Sequence, residues 1–161
     1  MKSTDVLAIL QEFYRERLTM RERHVAVARH VSNYEFNNTY QYIIAREDTQ
    51  LSWLEAAIRE MDGTADVVPP LTLAAPGRRE GFLGLVAEDA RTAQAFVDQW
   101  RPRMADVTQA RHRGMMQVVI GETLEHKRFF DQMAAGRDDL LGKRTGGPRT
   151  GDGVMPGRWA F

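Results

Sequence analysis

Apolar side chains recur three and four places apart through four long segments, the period of a helix with one buried face. The first segment runs from about Thr4 to Val31, with Val6, Ile9, Phe13, Met20, Val27 and Val31 on one side. A second follows Ser32 and carries Tyr40, Ile43, Ile44, Leu51, Leu54, Ile58 and Met61. Ser32 and Glu35 have the spacing of a capping box, so the first connection is very short. The second segment stops at Asp62 and Gly63, because TADVVPPLTLAAPGRR holds three prolines and no helical period. A third helix takes up near Glu80, places Phe82, Leu85, Phe96 and Trp100 on its stripe, and ends before Pro102. The fourth opens at Asp106, capped with Gln109, and continues through Met115, Val118, Val119, Phe129 and Met133 to Gly136.

No strand-like alternation and no recurring repeat interrupts this pattern, so the fold class is all-α. A connection from Gly63 to Arg79 reaches about 55 Å when extended. A helix of some 30 residues is only about 45 Å long. The connection can therefore cross the whole bundle, and the expected architecture is an antiparallel four-helix bundle made of two hairpins joined by a long crossover. At 161 residues the chain is one domain with a sizeable core. The bundle is expected over 1–136, with a flexible Gly/Pro-rich tail over 137–161. The tail closes on Val154, Met155, Trp159 and Phe161, the form of a segment that docks on a partner or folds over a groove of its own bundle.

Polar residues stand in the apolar stripes. Glu16 shares the side of Phe13 and Met20, and Glu47 and Gln50 cross the middle of the second stripe. Asp89 sits with Leu85 and Phe96, and Glu122 and His126 sit with Val118 and Phe129. Glu16 and Glu47 are equidistant from the first turn, as Asp89 and Glu122 are from the second. Each pair lies about 24 Å from its turn, so four carboxylates are expected at one level near mid-bundle. Unpaired, such a cluster costs several kcal/mol per buried charge, and hard cations would compensate it. The period also permits bland placements. Glu16, with arginines at 15, 17 and 21, could bend outward into ion pairs, and a shift of one residue exchanges Asp89 with Glu88 or His126 with Glu125. His24 is expected as a hydrogen-bonded core histidine, His30 and His112 as surface residues, and the methionines as core filler.

This arrangement resembles the ferritin-like di-metal carboxylate family. Its members place one Glu on each of two helices and a Glu-x-x-His pair on each of the other two. Glu16 and Asp89 stand in the single-acid places, EDTQ (Glu47 to Gln50) and ETLEH (Glu122 to His126) in the paired places. Gln50 replaces one histidine, Asp89 is shorter than Glu, and Glu125 occupies the position three after Glu122, with His126 one place late. The resemblance covers about residues 4 to 135. It implies two iron ions per chain, or manganese, held by Glu16, Glu47, Gln50, Asp89, Glu122, Glu125 and His126, with bridging carboxylates, His126 as terminal ligand and Gln50 in a supporting hydrogen bond. The implied activity is iron oxidation or O₂ or peroxide chemistry. The alternative is a bundle that kept the fold without the metals and serves as a ligand-binding or assembly module.

Lys plus Arg and Asp plus Glu number 22 each, so bulk charge draws the chain neither to nucleic acid nor to anionic lipid. The absence of cysteine removes thiolate chemistry and disulfides, and with no long apolar run a cytoplasmic address is expected. A homo-oligomer is a further partner expectation. The glycines of RTGGPRTGDG lack the strand and helix of a phosphate loop.

Overall fold

A computed structural model describes residues 3–77 and 81–142. Within them lie four α-helices, α1 (Ser3–Ala28), α2 (Tyr34–Glu60), α3 (Leu83–Trp100) and α4 (Ala110–Ala134), with a 3₁₀ turn, Pro102–Asp106, between the last two. No strand occurs among the described residues. α1 packs closely on α2 and α3 on α4, which gives the two expected hairpins. No helix among the described residues is long and apolar enough to cross a membrane.

The link between the hairpins runs the length of α1. Thr64 O accepts from Gln11 Nε2 at 3.1 Å, Asp66 pairs with Arg15 at 3.2 Å, and Leu73 O lies 3.0 Å from His30 Nε2. Phe82 then meets Phe36 edge to face, with ring centroids 5.4 Å apart. The chain thus returns from the foot of α2 to its head, so α3 runs parallel to α2 and the topology is up, down, down, up.

The inner seams follow a stricter rule than the helical period alone. Buried positions alternate four and three apart: Val6, Leu10, Phe13, Arg17, Met20, His24 and Val27 on α1; Phe36, Tyr40, Ile43, Glu47, Gln50, Leu54 and Ala57 on α2. α3 does the same with Val86, Ala90, Ala93, Val97 and Trp100, and α4 with His112, Met116, Val119, Thr123, His126, Phe130 and Met133. This is a heptad spacing, the pattern of helices that supercoil to keep one narrow seam inward. It corrects the expected stripe on α4, where Val119 faces in and Val118 is 50% exposed. It also corrects His112, which is buried rather than on the surface.

Two apolar clusters fill the ends. One gathers Phe13, Leu54, Trp100 and Met116, the other Val27, Tyr40, Val86 and Phe130. Phe13 meets Trp100 edge-on at 4.9 Å, and Tyr40 lies 5.4 Å from Phe130. The polar seam residues lie between the clusters and divide the core into two halves.

The caps differ from the expected ones. Asn33, not Ser32, caps α2 by accepting from Phe36 N at 3.0 Å. Asp106 is absorbed in the 3₁₀ turn, and α4 starts after Gln109 with no side-chain cap bond. α2 closes with Asp62 left-handed at φ 61°, with Asp62 N bonded to Arg59 O and Gly63 N to Ile58 O, each at 2.9 Å. α4 closes in the same way on Gly136 at φ 92°, where Arg137 N reaches Gln132 O at 2.9 Å. A Cβ at Gly136 would touch nothing within 4 Å, so only the backbone conformation demands glycine there. Gly136→Ala is therefore expected to cost about 1 kcal/mol, lowering Tm by roughly 2–4 °C in calorimetry.

Candidate functional site

The seam positions at mid-bundle hold Arg17 and His24 from α1, Glu47 and Gln50 from α2, and Thr123 and His126 from α4, all buried. Asp89 of α3, one residue off the Ala90 seam position, is buried beside them. Glu47, Gln50 and His126 meet around Arg17, and Asp89 lies beside His24, which links it to Glu47. Glu122 stands at the rim, its side chain 23% exposed.

Two expected members lie elsewhere. Glu125 points to solvent. Glu16 sits on the outer flank, where it accepts from Gln99 Nε2 at 3.0 Å and from the Trp100 indole N–H. One residue along a helix is a turn of about 100°, so when Arg17 occupies the seam its neighbour must point away. The place expected for an acid on α1 is taken by a guanidinium.

Arg17 is fully buried and reaches polar groups of two other helices, α2 and α4. Its Nε donates to Gln50 Oε1 at 2.9 Å, Nη1 lies 3.2 Å from Glu47 Oε2, and Nη2 lies 3.4 Å from His126 Nδ1. Nη1 also meets the Met20 sulfur at 3.7 Å. Gln50 passes the contact on, its amide N–H donating to Glu122 Oε2 at 2.5 Å. Each remaining acid has an arginine too. Arg46 donates to Glu122 Oε1 through Nε at 2.9 Å and Nη2 at 2.6 Å. Arg23 Nε donates to Asp89 Oδ1 at 2.7 Å, and the Tyr40 hydroxyl donates to Asp89 Oδ2 at 2.5 Å. Three carboxylates thus face three guanidiniums, and the charge that seemed to require cations is balanced by side chains.

His24 is the core histidine expected, with Nδ1 2.7 Å from Glu47 Oε1. Its Nε2, 3.9 Å from Asp89 Oδ1, makes no hydrogen bond, nor does Glu47 Oε2. Burial would raise the Glu47 carboxyl, but His24 and Arg17 outweigh it and hold the group below its ordinary range. Burial and then the Asp89 charge push the Tyr40 phenol well up, so it remains a donor. Burial, reinforced by Arg17, pulls His126 down to about 3, so its imidazole is neutral and Nδ1 can accept from Arg17. Burial also lowers Arg17 against the pull of Glu47 and Glu122, yet a guanidinium stays charged.

These residues do not fit a di-metal centre. Bridging needs carboxylate oxygens free to turn toward two cations, whereas those of Asp89 and Glu122 are engaged by arginine, tyrosine or amide donors. A cation would also meet the Arg17 charge beside Glu47. The helix α4 partner of His126 on the seam is Thr123, whose hydroxyl donates to Val119 O at 2.7 Å. Among the described residues no group of three or more His, Asp or Glu side chains is disposed to hold a metal ion. Sequence reasoning missed Arg17, Arg23, Arg46, Tyr40 and Thr123. The four-three spacing of buried positions carries the signal for Arg17 and Thr123. No protein-family model, curated protein or solved structure matches the chain.

Removing one partner of a buried pair leaves the other charged and dry. Arg17→Met is therefore expected to destabilise by roughly 3–5 kcal/mol in urea unfolding, and Arg17→Met with Glu47→Leu by less than the sum of the singles. The pH dependence follows from His126. An unfolded histidine takes up its proton near 6.5, while folded His126 does so only near 3, so the unfolded state binds more protons in between. Stability is full above about pH 6.5 and falls on acidification, by about 2 kcal/mol from pH 7 to 5 for this one group. His112, lowered by its own burial, acts in the same direction. His126→Gln keeps an acceptor for Arg17 and should remove about 2 kcal/mol of the difference between pH 7 and pH 5.

Proposed function

We propose that the chain is a metal-free counterpart of the ferritin-like bundles, in which an arginine-centred ion-pair layer stands where the di-metal centre would be, and that it serves as an assembly module rather than an oxidase. The carrying observation is Arg17, 0% exposed, on the inner seam of α1 and 3.2 Å from Glu47. The helix order and hairpin pattern suit the family resemblance, and the filled core suits a protein that acts through its surface. Exposed Tyr34, Trp53 and Val118 supply apolar area outside the core.

Two measurements test this reading. Protein purified with iron and manganese available should contain far less than one metal per chain, with no change in Glu47→Ala. Glu47→Ala should also lower the apoprotein's thermal stability, since it strands Arg17 and His24. Retention of about two metals per chain, lost in Glu47→Ala, would restore the di-iron or manganese reading and its O₂ or peroxide chemistry. So would an apoprotein made more stable by Glu47→Ala, because that is the behaviour of crowded acids awaiting cations.

A further inference from the structure

Outside the core, one face of the bundle has the features of a surface that meets its own copy. α4 carries Arg111, Gly114, Val118, Gly121 and Glu125 at spacings of three and four, so they share one outer seam. Val118 is 50% exposed, and Trp53 of α2 is 37% exposed. Contacts between Arg111 and Glu60, Gln50 and Glu122, and Tyr42 and Phe129 fix the level of α2 against α4. These contacts set Trp53 and Val118 at one level, both exposed toward the α2/α4 face. Arg46, stacked 5.8 Å from the Trp53 ring, borders it.

Glycine in a helix interior costs about 1 kcal/mol relative to alanine. A Cβ at Gly114 or Gly121 would meet nothing within 4 Å, so no contact inside the chain requires either glycine. The charges around them have a symmetry. Mirrored about Val118, Arg111 falls on Glu125, Met115 on Gly121, and Val118 on itself; these α4 positions oppose no like charges, and Arg111, which also pairs with Glu60 at 3.3 Å, would be shared between two carboxylates.

We infer that two copies of the chain pair through the α2/α4 face about a two-fold axis passing Val118, with α4 antiparallel to its counterpart. In that register Arg111 meets Glu125 of the partner subunit twice, by symmetry. The exposed part of Met115, whose inner side packs on its own core, lies over Gly121 of the partner subunit, and Trp53 borders the Val118 pair. The face is about 37 Å long and about 20 Å wide, which offers about 700 Å² per subunit, near the ~800 Å² of stable interfaces. Surface ion pairs add little affinity, so the charges fix the register and the exposed apolar side chains supply the attraction. This pairing names the partner for the assembly reading. It rests on that reading for its purpose alone, since mass is measured independently of metal.

Sedimentation equilibrium of the full chain should give twice 18.4 kDa. Val118→Lys, at an exposed position, should yield a folded monomer by circular dichroism. Arg111→Glu and Glu125→Arg should each raise the dimer Kd about tenfold, and the double reversal should restore it. A wild-type monomer at every concentration overturns the inference, as does a dimer indifferent to Val118→Lys and to both single reversals. A monomer in which Val118→Lys increases proteolysis of residues 143–161 overturns it in favour of the chain's own C-terminal segment as the occupant.

Discussion

The ion pair between Arg17 and Glu47 is the constraint on which the rest of the core depends. Both side chains are fully buried, and a lone charge in that position would cost several kcal/mol. The surrounding groups serve to complete the pair. Gln50 is held with its carbonyl toward Arg17 and its amide toward Glu122, so the orientation of that amide is dictated at both ends. His24 supplies the second contact to Glu47, and neutral His126 accepts what Arg17 has left to donate. A change in any one of these groups leaves a neighbour without its partner.

The layer also gives the bundle its register. Seams with a seven-residue repeat look alike after a slide of one heptad, about 10 Å, and apolar residues alone discriminate weakly between such states. Here the slide carries Arg17 into the apolar cluster around Leu10 in one direction, and in the other puts it in the place of His24 while driving His24 into the apolar cluster around Val31. The polar layer between two hydrocarbon halves thus excludes slipped packings, the use for which buried polar residues in helical bundles are best attested.

The all-helical fold, the hairpins and the crossover were legible because prolines, a long unpatterned connection and helical periodicity are local signals. The composition of the layer was legible only in part. Glu47 and Gln50 flank unambiguous apolar neighbours, so their inward placement could be read. Glu16 and Arg17 are adjacent and both polar, and a 3.6-residue period drifts about 20° per heptad from the true 3.5-residue seam. That drift is enough to favour the wrong neighbour, and it acted again at Glu122 against Thr123 and Val118 against Val119. The arginines that answer the acids come from α1 and α2: Arg17 meets Glu47 inside the first hairpin, whereas Arg23 and Arg46 gain their partners only when the two hairpins meet. Arg23 and Asp89 are far apart in sequence, and nothing near either residue announces the pair. The termini of the helices were misplaced by a residue or more for a simpler reason: Ser32 and Asn33 are both good caps, and the backbone chose the second.

A core closed by its own charges moves the question of function outward. Glu47, Gln50 and Thr123 have no exposure; Glu47 and Gln50 face Arg17, and the Thr123 hydroxyl turns to the Val119 carbonyl of its own helix. Surface features without an internal reason then become the informative ones. Most exposed helical positions of the bundle carry charge or long polar chains, as solubility asks. Gly114 and Gly121 lower the helix propensity of α4, and a side chain at either would meet nothing within 4 Å, while Val118 between them is half-exposed. Each has a cost in the single chain, and in the proposed dimer a second backbone would cover Val118 and occupy the space the glycines leave. In the proposed dimer the heptad logic that hides Arg17 inside the bundle would extend to the outer seam, with the partner helix belonging to another copy instead of another segment.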